Sequence, residues 1–194
     1  MHDIEPFFGW REHYIASEDY DSPFYKREYN EFTFENRIYN YRIHPQWDPI
    51  GSTTLYAKIL YVDYDEKFAM IEFIGEWNDC LYNDIMYARQ NMIDKIVAKG
   101  IDKFVFLCDN VLNFHGSDDS YYEDLYAEIS DYGGWIAMVN IFQHVEDELI
   151  KTRLQYYVNF GEHLTDVNWR SKKPLLAYKE IEYLINSQVK RLSY

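Results

Sequence analysis

Residues 68–142 most constrain what this chain can fold into, because strand and helix signals alternate along them. The stretch opens on the second arm of a hairpin, 53–64 and 67–77, joined through a DYDEK turn. Few positions on either arm are charged, so at least one of the two strands is central in a sheet. Asn78 then reads as the N-cap of a helix over 79–99, with Leu81, Ile85, Ala88, Met92 and Ile96 on one stripe and Gly100 as its stop. Residues 103–108 (KFVFLC) form a short continuous apolar run, the pattern of a strand covered on both faces. A polar loop at 109–120 leads into a helix over 121–131. Gly133 and Gly134 end that helix, and 135–142 is the next buried strand. Antiparallel strands followed by strand–helix alternation imply an α/β fold, a mixed sheet whose parallel strands are joined by crossover helices.

The flanks are less regular. Residues 1–24 show no sustained periodicity and read as an arm packing through Phe7, Phe8 and Trp10. Residues 25–34 and 37–43 alternate aromatics around a turn at 35–36, an N-terminal β-hairpin extension. Residues 44–52, with two prolines and a glycine, are a connector. Beyond Phe142, 145–160 reads as an amphipathic helix with Val145, Leu149, Thr152 and Tyr156 on one stripe. Residues 164–169 read as a short last strand. Pro174 opens a closing helix whose face is Ala177, Ile181, Leu184, Ile185, Val189 and Leu192. The expected division is an arm and hairpin over 1–52 and an α/β domain over 53–194.

Composition narrows the partners. The net charge is −14, shared by both parts of the chain. Nucleic acid and anionic membrane surfaces both need a cationic footprint, so neither is an expected partner. The most apolar segment, 135–142, is far too short for membrane insertion. The opening MHDIEPFFGW has no basic region before an apolar run and does not read as a secretory signal. Cys80 and Cys108 cannot build a disulfide framework and read as buried free thiols, which suits the cytoplasm. Twenty tyrosines stand out, and their places inside periodic runs assign most of them to packing.

Several pieces of the chain, in order, resemble the SpoIIAA-like family, which shares the STAS fold. FAMIEFIGEWND is similar to its second strand, closing glycine and helix start. KFVFLCDN is similar to its central strand ending in an acid, and NFHGSDDSYYEDL to its phenylalanine–x–glycine loop and following helix. WIAMVNIF and VNWRSKKPLLAYKEIEYL resemble its next strand, its last short strand and its closing helix. The resemblance covers about 57–185 and implies four or five strands with helices on one side of the sheet. It brings no catalytic residue; related domains act as protein-binding switches. The phosphorylatable Asp–Ser–Ser/Ala/Thr–Gly motif of anti-sigma-factor antagonists is absent, since that place reads Gly116–Ser117–Asp118–Asp119–Ser120. Ser117 and Ser120 are weak phosphorylation candidates among these acids and read more simply as helix caps.

The usual chemistries fail one by one. Asp109 sits where open α/β sheets place ligands, yet no nearby Lys or Arg supplies the cation a phosphate needs. Phe114 stands where a phosphatase loop after Cys108 needs arginine. The six histidines lack metal-ligand spacing, so no metal is expected, and the glycines form no nucleotide cradle, so no cofactor is expected either. What remains is one loop and helix, with Asp109, Phe114, His115, Ser117, Tyr121 and Tyr122 as candidate binding residues. Three tyrosines at 121, 122 and 126 span too wide an arc to bury completely. The expected function is a non-enzymatic, cytoplasmic regulatory or protein-interaction domain that binds a protein partner or itself. One alternative is a module for a small apolar ligand or lipid, with a cavity between sheet and helices. The other is a Mg²⁺-dependent phosphotransfer enzyme centred on Asp109.

Overall fold

The computed structural model describes residues 4–30 and 32–192. The strong hairpin forms as expected, from β4 (Leu55–Asp63) and β5 (Phe68–Asn78), and β5 is buried at every position. It lies in a five-stranded sheet of order β3–β4–β5–β6–β7, where β3 is Asp48–Pro49, β6 is Lys103–His115 and β7 is Trp135–Val139. The β3–β4 and β4–β5 pairs are antiparallel; β5–β6 and β6–β7 are parallel. Parallel neighbours need crossovers. The first is a helical segment made of α1 (Asp84–Ala88), a π-turn (Arg89–Ile93) and α2 (Asp94–Val97); the second is α3 (Ser120–Ser130). This is the mixed sheet with crossover helices that the strand pattern implies.

Side-chain alternation splits the sheet into two apolar faces. Ala69, Ile71 and Phe73 face a core built with the crossover helices and with α4 (Gln143–Lys151). Phe68, Met70, Val105 and Leu107 face a second core. The expectation of helices on one side therefore fails. Central strands this apolar expose hydrocarbon on both faces unless both are covered. The second cover is α5 (Pro174–Leu192), through Ala177, Tyr178, Ile181 and Ile185, together with Trp10 and Trp169. Leu184 packs at its margin. Val189 and Leu192, expected on the same face, lie outside the residues whose side chains are described.

Several boundaries move for physical reasons. The first helix begins at Asp84, not 79, because Asn78 is still paired in β5 with His115. Residues 79–82 then turn, leaving Leu81 74% exposed and Cys80 exposed as well. The N-terminal hairpin shrinks to β1 (Arg37–Ile38) and β2 (Tyr41–Arg42), turning at Tyr39 with φ 54°; 25–30 and 32–34 form no strand, and residue 31 lies outside the described residues. The connector yields the edge strand β3. The helix expected over 145–160 ends at Lys151, and Tyr156 is 68% exposed instead of packed. Residues 164–169 form no strand, although Leu164, Val167 and Trp169 are buried in the second core.

Candidate functional site

The largest departure from expectation falls at the site itself. Residues 109–115 are not a loop; they continue β6. The pairing with β5 jumps twice, so β6 carries an extra residue between Glu72/Ile74 and again between Gly75/Glu76. Each bulge costs one step of alternation, so Cys108, Val111 and Phe114 reach the same core at a spacing of three. Neighbouring β7 leaves the sheet opposite Leu107. Asp109 therefore sits beside the first bulge, just past the end of β7.

There both of its oxygens accept hydrogen bonds. Arg170 Nη1 donates to Oδ1 at 2.6 Å and Asn140 Nδ2 at 3.1 Å, while Trp169 Nε1 donates to Oδ2 at 3.0 Å. Asn140 follows β7 with φ 58° and ties the returning chain down, accepting from Val167 N at 2.8 Å and donating to Val167 O at 3.0 Å. The same Arg170 reaches Glu72 Oε1 through Nη2 at 2.8 Å and lies 4.1 Å over the Trp169 ring. Glu72 also accepts the Phe7 backbone N–H at 2.8 Å. Its side chain is 1% exposed, and burial pushes its carboxyl up to about 7, outweighing the Phe7 N–H and Arg170. Thus the cation missing from the local sequence comes from Arg170. Glu72, Asn140 and Arg170 are the residues that sequence reasoning overlooked. An acid inside the apolar run FAMIEFIG was the available signal.

The other candidates divide by burial. Phe114 and Tyr122 are buried in the first core. Tyr122 Oη donates to Asp79 Oδ2 at 2.7 Å, and Asp79 Oδ1 accepts from Ile85 N at 2.8 Å, holding the start of the first crossover helix. Burial raises the Asp79 carboxyl to about 6. His115 is half-exposed and its Nε2 lies 2.7 Å from Glu76 Oε1, while Tyr39 donates to Oε2 of the same carboxylate. Ser117 and Ser120 are exposed, and the Ser120 hydroxyl and N–H both donate to Asp118 Oδ1. Gly116 has no room for a side chain, since a Cβ there would meet Thr152 Oγ1 at 2.4 Å. The Gly116 backbone thus lies close to Thr152, at the end of α4. Tyr121 is partly buried, Tyr126 is exposed, and the Tyr126 and Tyr157 rings lie 6.1 Å apart with Tyr156 beside them.

A cleft of about 390 Å³ opens where β6 and β7 part, lined by Asp109, Asn140, Phe142, Glu146, Thr165 and Asp166 among others. Burial, then Asp147 and Glu162, raise the Glu146 carboxyl. Among the described residues no group of three or more His, Cys, Asp or Glu side chains is placed to hold a metal ion. Cys108 is buried, and its thiol is pushed far above the ordinary range by that burial, so it is no nucleophile.

No model of a known protein family matches the chain, and no curated protein matches it. Among solved structures it is similar to the crystal structure of a candidate anti-sigma factor antagonist from Thermotoga maritima, with a TM-score of 0.39 and 20% identity. The match covers 53% of this chain and 81% of that one. At that identity and score the similarity transfers no residue role. No helix among the described residues is long and apolar enough to cross a membrane.

Proposed function

We propose that this α/β chain is a non-enzymatic interaction module of STAS type. It binds a protein partner, or a second copy of itself, on the face formed by His115, Ser117, Tyr121 and the tyrosines at 126, 156 and 157. One observation carries the reading: the groups that sequence offered for chemistry serve as struts, while polar and aromatic side chains beside them stay open. Asp109 is held by Arg170, Trp169 and Asn140, and Tyr122 by Asp79. Tyr126, one turn beyond Tyr122 on α3, and Tyr156 are 36% and 68% exposed and meet around Tyr157, and exposed tyrosine is favoured at interfaces. Phe114 and Tyr122 belong to the site as supports, not as contacts. Unpaired Cys80 and Cys108 fit a cytoplasmic setting. A phosphate on Ser117 or Ser120 is the weaker form of the same reading, since Asp118 and Asp119 repel it. The phosphotransfer alternative asks Asp109 to surrender three donors before it can meet a metal ion.

The test is co-purification and sedimentation of the full chain against a His115→Ala/Tyr126→Ser/Tyr156→Ser variant. Loss of a partner, or of self-association, supports the reading. Retention of every partner and of the oligomeric state overturns it.

A further inference from the structure

A second cleft, of about 290 Å³, lies between the N-terminal arm and β4. Among the described residues its charged lining is Arg11 and Lys58, with no carboxylate. In a chain with 33 acidic and 19 basic residues, that local reversal of sign needs a cause. Lys58 lies with Nζ 3.7 Å from the centroid of the Tyr29 ring and donates to Gln46 O at 2.9 Å. Behind it, buried Asp48 meets Lys58 at 3.2 Å and also takes Arg27 at 2.8 Å and the Tyr29 hydroxyl at 2.6 Å. One carboxylate therefore serves two cations. Arg11 adds a third, and among the described residues its hydrogen-bond partner is Gln46 Oε1 at 3.4 Å. Burial lowers the Lys58 pKa, and Arg11 and Arg27 push the same way against Asp48. Concentrated like charge of this kind is relieved by an incoming anion.

Four aromatic side chains, Phe7, Trp10, Tyr14 and Tyr29, share the rest of the wall with aliphatic groups such as Ile59 and Leu60 and with the polar Ser17 and Gln46. The space sits at the low end of ligand pockets, which run roughly 300–1,000 Å³. The geometry points to a binding site for a compact organic anion, with one carboxylate or phosphate head group on an aromatic or apolar body. The Arg11 fork matches either head group in bidentate fashion, and Lys58 lies deeper as a point charge. The aromatic wall takes the body by stacking and edge contacts. This site lies apart from the tyrosine face of α3, so the two proposals stand or fall separately.

The test is calorimetry and NMR titration of the full chain with benzoate and with phenyl phosphate. Benzyl alcohol supplies the body without charge; acetate and inorganic phosphate supply charge without the body. The expected result is saturable binding of at least one aromatic anion, shifting the Arg11 side-chain and Trp10 indole N–H resonances, with all three controls far weaker. The preferred anion identifies the head group. Arg11→Gln, on an exposed side chain, weakens binding about tenfold or more by removing a charge-assisted bond. Lys58→Met does the same if it folds, and Arg11→Gln decides the matter if it does not. Absence of saturation by both anions at their highest soluble concentration overturns the proposal. So does equal binding of benzyl alcohol, or an Arg11→Gln affinity within about twofold of the parent chain.

Discussion

Glu72 occupies the middle of a strand buried on both faces, where water cannot stabilise its charge. The Arg170 guanidinium and the Phe7 N–H compensate only in part, so its carboxyl rises from 4.5 to about 7. The folded chain then keeps a proton through the range from about 4.5 to about 7, while the unfolded chain releases it near 4.5. Stability due to this group is greatest below that range and falls as pH climbs through it. Asp79, raised from 3.8 to about 6, bends the curve the same way at lower pH. Glu72→Gln removes the first component only. Measured by urea denaturation, the parent chain should lose ~3 kcal/mol relative to Glu72→Gln between about pH 4.5 and 8, at roughly 1.4 kcal/mol for each pH step across the window. Parallel pH profiles for the two proteins would show that the Glu72 carboxyl is not perturbed.

At the scale of elements, β5 and β6 show what sequence pattern can and cannot reveal. The β4–β5 hairpin was legible because alternation holds from Leu55 to Ile59 and a polar turn separates two apolar arms, although one bulge before Tyr61 shifts the register. The second half of β6 was not: its two bulges replace alternation with the spacing of Cys108, Val111 and Phe114, and a period of three reads as loop. The helix start was misplaced for a related reason. Asp79 accepts from Ile85 N across an intervening turn, an arrangement no local pattern announces. Asp109 was legible as a strand-end acid, whereas its partner Arg170 stands 61 residues away and only the closed fold joins them. Gly75 is the point where β5 depends most on its backbone. Its φ is 123°, and an added Cβ would lie 2.0 Å from Thr54 O, the same oxygen that accepts Glu76 N at 3.0 Å. Gly75→Ala must break that contact and adopt a backbone alanine avoids. The expected cost is ~3 kcal/mol or more, read as a lower urea midpoint. An unchanged midpoint would mean that the strands can part there without loss.

For the whole molecule, the arm and the sheet edges act together. The outer strand β3 has two residues, one of them Pro49, and β7 is partly covered by Asn159, which pairs with Ile136 and Met138. Neither edge is a good template for strand addition, so association through a side-chain face is the better route. The first 52 residues supply more than an edge. Trp10 packs 5.4 Å from Trp169 and its indole N–H reaches Lys172 O at 2.7 Å; Ala16, Phe24 and Ile50 enter the first core, and Trp47 is buried in a third with Ile38 and Ile43. Burying one such large side chain contributes roughly 1.5–3 kcal/mol, so removing several approaches the whole stability of a domain, about 5–15 kcal/mol. Residues 53–194 expressed alone should therefore lose cooperative urea unfolding and bind a hydrophobic dye through the uncovered Trp169 face. A well-dispersed NMR spectrum and a cooperative transition close to that of the full chain would instead establish 53–194 as a unit that folds on its own, with the first 52 residues as a removable cover.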